Sequence, residues 1–318
     1  MNGFADWLSN DVSSSDRMRK RVHTLSEEKQ LQVFQLAEQI DQTQQLTIDC
    51  YGSNVQDNLA HFTDIMLEYV RKNDVAGIGL IVNDFVKMLE AVDPDMLYPK
   101  KSQLLFRLIR KSSRSVQETI SRYQKTGAQM NRVSVKLEHS KKALLKDLEI
   151  LEQLLEENKK YNEKLNLYIV AGQLKLEELS TNKADGLRRR LHDLIISREI
   201  TKQSAMQIQM IQNTNQVLIQ KIQSAMITAI PLWKNQVAIA LTLLRQQHAT
   251  TTQQQVSEVL VKNSEILKNN TVQTAKGKDV EIETLKKLQN HLVSVLKETL
   301  NIEETGRTKR HQIEGKDV

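Results

Sequence analysis

The residues that most often carry redox or metal chemistry, cysteine and histidine, are sparse and scattered in this 318-residue sequence. Cys50 is the only cysteine, so the chain has no CxxC dithiol. A lone cysteine on a helix is more often a small buried apolar side chain, and we therefore expect Cys50 to be buried. The seven histidines include no HExxH motif and no pair spaced i,i+4. We predict no catalytic, cofactor or metal site, and no enzymatic activity.

Clustered basic side chains offer a different chemistry, the binding of anions. Residues 100–114 contain six Lys or Arg and no acid. Four of the six are spaced i, i+3, i+4 and i+7 and share one helix face: Arg107, Arg110, Lys111 and Arg114. Such a stripe is typical of a contact with an anion or with an anionic membrane surface. The alternative, which we favour, is a solvated face that pairs with acids of a neighbouring helix.

A second basic cluster, LRRRLHD at residues 187–193, contains Arg188, Arg189 and Arg190. Arginines near the N-terminus of a helix can hold an oxyanion, which makes these three candidate anion contacts. Consecutive residues of a helix point in different directions, however, and this argues against one shared site. Aromatic residues do not interleave with either basic cluster, so we expect no nucleic-acid binding.

A long charge-poor stretch runs from residue 203 to residue 244. Lys221 and Lys234 are its only charged side chains, although 26% of the whole chain is charged. Three interpretations compete: a membrane span, a helix covered by protein on several sides, or a binding surface. We expect no transmembrane span, because Lys234 lies at the centre of the apolar segment 225–244 and would cost about 3 kcal/mol there.

Small and amide side chains on this stretch favour a helix covered by neighbours, since a solvated helix face normally carries Lys and Glu. A dedicated partner surface is the second interpretation. The candidate packing or partner face consists of Asn213, Asn215, Gln216, Gln220, Pro231, Trp233, Lys234, Asn235 and Gln236.

Long helices are the elements that would position these residues. Aromatics make up 4% of the chain, with 10 glycines and 3 prolines, a composition typical of coiled coils. One heptad seam runs from Ile109 to Leu165 and the other from Phe106 to Leu176, and Asn158 and Asn162 are polar seam members. No stretch alternates with period two. We predict an all-α fold, an elongated antiparallel helical bundle or coiled coil with a small helical N-terminal part.

Breaks in the pattern predict four domains or tails. These are a flexible N-terminal tail (1–25), a small helical bundle (26–99), a long antiparallel coiled-coil bundle (100–304) and a loose C-terminal tail (305–318). Turns are predicted at STNKADG (180–186) and at KGKD (276–279).

Two helices of this scheme have specific predicted features. The first, over residues 26–49, would be capped by Ser26 and would bury four apolar residues: Leu31, Phe34, Ala37 and Ile40. Beyond residue 187, a second heptad register passes Pro231 without a phase shift. That proline should therefore kink the helix rather than end it. The pattern leaves open whether residues 187–275 form one helix or two.

The block NTNQVLIQKIQSAMITAIPLWKNQVAIAL, followed by VLVKNSEILK and by VEIETLKKLQNHLVSVLKETLNIEETGRTKRHQIE, resembles the toxic anion resistance family, also called the TelA or tellurite-resistance family. The resemblance covers about residues 100–311. It implies an all-helical bacterial cytoplasmic protein linked to survival of tellurite. It implies no established enzyme activity, so it supplies a phenotype and no site.

Together these features predict a cytoplasmic, non-enzymatic stress-resistance protein that acts through protein–protein contacts or self-association. The alternative is a peripheral coiled-coil scaffold on the inner face of the membrane, docked on anionic lipid through the basic stripe at 107–114.

Overall fold

The part of the chain that can be described consists of helices joined by turns. The computed structural model describes residues 22–41, 45–72, 77–96, 116–176, 178–179, 181–260 and 267–313. These residues contain no β-strand. The predicted all-α helical bundle is therefore confirmed.

Short helices come first along the chain and long ones follow. The short helices are α1 (Glu27–Glu38), α2 (Gln45–Asp49), α3 (Ser53–Lys72) and α4 (Gly77–Glu90), with a 3-10 turn at Pro94–Met96. The long helices are α5 (Val116–Leu176), α6 (Thr181–Ser224), α7 (Ile230–Leu260) and α8 (Leu267–Ile313). A π-helical segment, Ala225–Ala229, joins α6 directly to α7, so residues 181–260 form one continuous helix.

Helices α5 and α6 pack antiparallel, as a connection of only a few residues requires. The Asn158 amide on α5 donates to the backbone oxygen of Thr201 at 2.7 Å. Gly172, later in α5, lies against Leu191, earlier in α6. The seam positions predicted on α5 are buried: Tyr123, Met130, Leu137, Leu144, Leu151, Asn158 and Leu165. The seven-residue period therefore predicted the packing face of α5 correctly.

The chain divides into two compact units, and each is assembled from separate stretches of sequence. Unit 1 comprises residues 1–73, 149–212 and 312–318, and unit 2 comprises residues 74–148 and 213–311. This differs from the predicted division, in which residues 26–99 formed a bundle of their own. Helices α1, α2 and α3 belong to unit 1, whereas α4 belongs to unit 2. The reason is that α5 and α6 are long enough to contribute to both cores.

Unit 1 buries the start of α3 against α5 and α6. Tyr51 and Phe62 share an apolar cluster with Leu194. The Tyr51 hydroxyl donates to the backbone oxygen of Tyr168 at 2.9 Å, and burial raises the pKa of Tyr51 well above its usual value. Gly52 has φ 72°, and a Cβ there would lie 2.8 Å from a Leu194 methyl. The turn before α3 therefore requires glycine.

Unit 2 has the larger apolar cluster, built from α4, α5, the end of α6, the π-helical segment, α7 and α8. Its fully buried members include Phe85 and Leu89 from α4, Met130 from α5, Trp233 from α7 and Leu292 from α8. Burying each such side chain contributes about 1.5–3 kcal/mol. The buried side of the charge-poor helix is part of this core.

Several predicted helix ends were misplaced. The helix predicted over 26–49 ends at Glu38 and is followed by the separate short helix α2. Ser26 lies at the N-cap of α1, but its side chain makes no capping hydrogen bond. Helix α6 begins at Thr181, so Gly186 lies inside a helix rather than in the predicted turn. Gly186 is buried within α6.

The C-terminal predictions also need correction. Helix α8 runs through KGKD (276–279) without interruption and continues to Ile313. The predicted break, and the predicted loose tail as far as residue 313, are therefore wrong. The tail is ordered by tertiary contacts: Gly306 lies against Thr214, and Arg310 is buried.

The continuous helix changes phase at Pro231. The predicted seam placed Leu232 and Ile239 in the core, but these side chains are 46% and 37% exposed. Trp233 and Ala240, one residue further along, are fully buried instead. The helix continues past the proline, as predicted, but the prediction of an unchanged phase is wrong.

The π-helical segment explains the phase change. The N–H of Ile230 donates to the carbonyl of Ala225, a bond across five residues in place of four. A π turn therefore holds an extra residue and rotates everything after it. Pro231 favours such a turn, because it has no N–H for the carbonyl four residues back and its ring would crowd that carbonyl in a regular α-helix.

Candidate interaction surface

One face of the charge-poor helix is anchored in the core of unit 2 by Trp233. Its ring stacks against Tyr123 with centroids 6.5 Å apart. Its indole N–H donates to Gln289 Oε1 at 3.3 Å. The Gln289 amide donates in turn to the carbonyls of Leu89 and Val92 at 2.9 and 2.7 Å. Gln289 thus satisfies carbonyls at the end of α4 and connects α4, α7 and α8.

Tyr123 on α5 makes a further hydrogen bond to the backbone just after α4. Its hydroxyl donates to the backbone oxygen of Asp93 at 3.1 Å. Burial, together with the nearby negative charge of Asp93, raises the pKa of Tyr123 far above its usual value. The phenol therefore stays protonated and remains a hydrogen-bond donor throughout the physiological pH range.

A buried ion pair lies where α5, α6 and α8 meet in unit 2. Arg310 Nη2 donates to Asp147 Oδ2 and to Asn215 Oδ1, both at 3.1 Å. The Asn215 amide donates to the same carboxylate oxygen. All three residues are buried. Each charge is compensated, and the three side chains fix the register of three helices.

The two lysines of the charge-poor stretch turn toward their own chain. Lys221 Nζ lies 2.8 Å from Glu298 Oε1, and Lys234 Nζ donates to Asn131 Oδ1. Both lysines are half-buried at the edges of the helix face. Their charges are therefore directed at residues of this chain.

The opposite face of the helix is exposed and uncharged. Between residues 213 and 242, a range that the structure describes in full, every exposed position is apolar or carries an uncharged polar side chain. We call this surface the uncharged face. Its residues are Asn213, Gln216, Val217, Gln220, Gln223, Ser224, Ile227, Thr228, Pro231, Leu232, Asn235, Ala238, Ile239 and Thr242. Their spacing of three and four residues makes one continuous stripe.

The exposed positions of α5 in unit 2 show what a solvated helix face of this protein looks like. They include seven charged residues: Glu118, Arg122, Lys125, Arg132, Lys136, Lys142 and Lys146. On the uncharged face, by contrast, Ile227 is 65% exposed and lies in the π-helical segment. The phase change then brings Leu232 and Ile239 to the same surface. Local helix geometry thus builds an exposed apolar surface, and π segments occur frequently at functional sites.

The structure divides the predicted packing or partner face between the two sides of the helix. Asn215, Trp233 and Gln236 are buried, and Lys234 is half-buried. The remaining five are exposed and belong to the uncharged face: Asn213, Gln216, Gln220, Pro231 and Asn235. Among the described residues, the helix between residues 213 and 242 is buried along one face and exposed along the other.

By length and composition, one described helix, Lys183–Gln246, is long and apolar enough to cross a membrane. Of its apolar window, 44% is buried inside the protein. Core helices of soluble proteins pass the same test, and the buried side of this helix carries the core residue Trp233.

The basic clusters do not come together as one site in the described part of the chain. Arg107, Arg110, Lys111 and Arg114 lie outside the described residues. Arg188 is exposed and pairs with Asp185 at 3.0 Å, and Arg189 is exposed. Arg190 is directed inward, where it donates to the Tyr51 carbonyl at 2.7 Å. The three arginines of α6 therefore point in different directions, as predicted.

Cys50 is exposed, so the prediction of a buried cysteine is wrong. It lies just after α2, and its neighbours Ile48 and Tyr51 are the residues that turn into the core. Among the described residues, no group of three or more His, Cys, Asp or Glu side chains is placed to hold a metal ion.

Sequence reasoning missed Asp147, Gln289 and Arg310, which hold the helix in place. Asn215 was the available signal, because an amide at a heptad seam position needs a buried polar partner. The sequence pattern does not identify that partner, since Asp147 and Arg310 are distant along the chain.

The protein is an all-α helical bundle with long antiparallel helices. Its unit 2 contains the buried Asp147–Asn215–Arg310 group and carries the uncharged face, which is a candidate contact surface. The model of the toxic anion resistance protein (TelA) family matches residues 33–188 and 181–316. The chain belongs to this family. The match begins well before residue 100, so the resemblance predicted from residue 100 onward was too short.

Relatives in several bacteria cover most of the chain. It is 48% identical to the uncharacterized protein YaaN of Bacillus subtilis, over 96% of this chain and 88% of that protein. It is 42% identical to the uncharacterized protein Lmo1967 of Listeria monocytogenes, over 96% and 84%. It is 36% identical to a TelA-like protein of Staphylococcus epidermidis, over 92% and 89%. No solved structure matches the chain.

Proposed function

We propose that this protein supports growth in the presence of toxic oxyanions such as tellurite as a non-enzymatic cytoplasmic protein, and that it acts through protein–protein contacts made by the uncharged face. Family membership supports the link to toxic anions. One observation carries the contact role: an exposed helix face, from residue 213 to residue 242, has no charged side chain in a chain that is 26% charged.

The composition of the uncharged face suits an interface better than it suits water. The centres of protein interfaces are depleted of charge, because a charged group loses its hydration when a partner covers it. Apolar side chains such as Ile227 and Leu232 gain free energy when covered, and the amides can exchange water for a partner's polar groups. A protein partner can therefore bury this face without the cost of removing water from charged groups.

The proposal assigns no catalytic residue. Reduction of an oxyanion by thiols commonly uses a second thiol to resolve the first oxidation product, and this chain has Cys50 alone. A cytoplasmic location is supported by the same count, since reducing compartments do not favour disulfide frameworks.

Growth of a sensitive host on graded tellurite tests the proposal. The host would express wild type, Ile227→Glu or the matched control Val135→Glu. Val135 is an exposed apolar residue on the charged face of α5, 71% exposed against 65% for Ile227. Wild type and Val135→Glu should protect, whereas Ile227→Glu should lose most of the protection at equal protein level. Cys50→Ala should protect like wild type.

The outcomes separate the competing functions. If Ile227→Glu protects as well as wild type, the uncharged face does not make the contact on which resistance depends. Docking on anionic membranes predicts the reverse pattern, in which charge reversal at Arg107 and Arg110 abolishes protection and Ile227→Glu retains it. A wild type that fails to protect would show that the family phenotype does not extend to this chain.

A further inference from the structure

We propose that the partner of the uncharged face is a second copy of this chain, docked on the same face in a two-fold symmetric pair centred near Ile227. The inference rests on the contact role proposed above and names the partner for that surface. It follows from the kinds of side chain on the face, from their order along the helix and from the area available.

The amide side chains suit a two-fold pair, because they can meet other uncharged polar groups without repulsion. In a two-fold interface, the same residues from both copies meet near the axis. A carboxylate or an ammonium group repels its own copy there. An Asn or Gln amide has both donors and an acceptor, so it can bond to an identical amide. Across an axis near Ile227 the two helices run antiparallel, so Gln220 of one copy faces Asn235 of the other, and Asn213 faces Thr242. Both pairs join uncharged polar groups that can exchange hydrogen bonds.

The charge distribution points to the same partner. The chain carries a net charge of +6, so two copies repel each other on average. The uncharged face avoids a local contribution to that repulsion. Its flanking lysines, Lys221 and Lys234, are already engaged by Glu298 and Asn131 of their own chain. A partner rich in one sign of charge would find no complement here, whereas an identical uncharged face fits.

The order of the residues places an apolar contact at the centre. Ile227 lies midway between Asn213 and Thr242, the two ends of the face, and it is its most exposed apolar side chain. Leu232 and Ile239 lie on one side of it and Val217 on the other. A two-fold axis near Ile227 therefore buries an apolar centre between polar amide contacts, the usual arrangement of an interface.

The available area sets the expected strength. Thirty helical residues extend about 45 Å, and a helix face is roughly 10–12 Å wide. Each copy would bury roughly 500 Å², or roughly 1,000 Å² for the pair, which is the lower limit for a specific interface. We therefore expect a reversible dimer that dissociates in the micromolar range.

The first test is the mass of the full chain in solution across a concentration series, by sedimentation velocity and light scattering. Wild type and Val135→Glu should shift from 36.6 kDa toward twice that mass as concentration rises. Ile227→Glu should remain at the single-chain mass, with dimerisation weakened about tenfold or more by two buried carboxylates that face each other. A wild type that stays monomeric at every concentration overturns the inference.

A charge-swap pair tests the symmetry. Ile227→Glu and Ile227→Lys should each be monomeric alone. An equimolar mixture should recover dimer, because opposite charges then meet at the axis. Recovery requires that position 227 of one copy faces position 227 of the other. A mixture that stays monomeric overturns the two-fold pair. The pair is also overturned if wild type binds neutral lipid vesicles through this face but does not bind a second copy of the chain.

Failure of this inference can be distinguished from failure of the proposed function. If wild type is monomeric but Ile227→Glu loses tellurite protection, the uncharged face contacts a different protein and the proposed function stands. If the dimer forms and breaks as expected while Ile227→Glu still protects, the second copy is the partner and the contact is not needed for resistance.

Discussion

Arg310 on α8 and Asp147 on α5 form a buried ion pair, with Nη2 3.1 Å from Oδ2, although 163 residues separate them in sequence. Asn215 on α6 bonds to both, so no polar group of the pair faces an apolar surface unpaired. This arrangement fixes the C-terminal helix against the helix that carries the uncharged face. It also lies beside the close contact of Gly306 with Thr214.

Removing either charge should therefore be costly. Arg310→Ala leaves the Asp147 carboxylate buried without its cation, and we expect a loss of about 3–5 kcal/mol in the free energy of unfolding. Urea denaturation followed by circular dichroism measures it. Arg188→Ala is the matched control, because its pair with Asp185 is exposed and should contribute about 0–1 kcal/mol. Similar losses in both variants would show that the buried pair adds nothing.

Gln289 should prove essential for holding α4. Gln289→Leu keeps about the size of the side chain. It leaves the Val92 carbonyl and the Trp233 indole N–H without the Gln289 partner, and it removes one of the two hydrogen bonds to the Leu89 carbonyl, which keeps the Val92 N–H. We expect a loss of about 2–4 kcal/mol. Hydrogen exchange should show faster exchange in α4, with little change in unit 1. Asn290→Leu, at the exposed neighbouring position, should leave the exchange rates of α4 unchanged.

The sequence predicted packing faces more reliably than helix ends. The heptad seam of α5 held from Tyr123 to Leu165, because each seam residue has a fixed place on the helix surface. The shorter pattern of α1 held only in part: Ala37 and Ile40 are buried, but Leu31 and Phe34 are 60% and 49% exposed. Over so few turns, several apolar faces fit the spacing equally well.

The candidate surface was harder to predict, because it depends on a single local irregularity. A regular helix would have buried Leu232 and Ile239, and only the extra residue of the π turn moves them outward. The proline was visible in the sequence, yet a proline can be accommodated by a kink or by a wider turn. The sequence alone does not distinguish the two.

The stability of unit 2 should fall steeply at alkaline pH. The pKa of Tyr123 is raised in the folded state, so above pH 10 this tyrosine ionises in the unfolded chain first. The unfolded state then binds fewer protons than the folded state, and stability decreases by about 1.4 kcal/mol per pH unit for this group. The contribution is fully present below pH 10.

Tyr123→Phe removes that group from the titration. The variant should lose about 1 kcal/mol at pH 7, because the bond to the Asp93 carbonyl is missing, but its stability should fall less steeply above pH 10. Urea titrations at several pH values between neutral and strongly alkaline compare the slopes. Identical slopes for wild type and variant would contradict a raised pKa of Tyr123.

Gly306 and Gly127 should respond to alanine in opposite directions, although both are helical glycines of unit 2. A Cβ at Gly306 would lie 2.6 Å from Thr214 Cγ2, and the β-branched Thr214 has little freedom to move. Gly306→Ala should therefore destabilise the protein by about 1–3 kcal/mol. A Cβ at Gly127 meets nothing within 4 Å, so Gly127→Ala should stabilise it by about 0.5–1 kcal/mol.

A second substitution identifies the cause of the Gly306 effect. Thr214→Ser deletes the methyl group that the new Cβ would strike and keeps the hydroxyl. The double variant Gly306→Ala with Thr214→Ser should recover much of the stability that Gly306→Ala loses, as measured by thermal unfolding. Losses that simply add would show that the cost arises from the backbone of α8 and not from its contact with α6. Recovery would show that α8 must approach α6 closely at Thr214. This contact lies next to Asn215, whose hydrogen bond to Arg310 also joins α8 to α6.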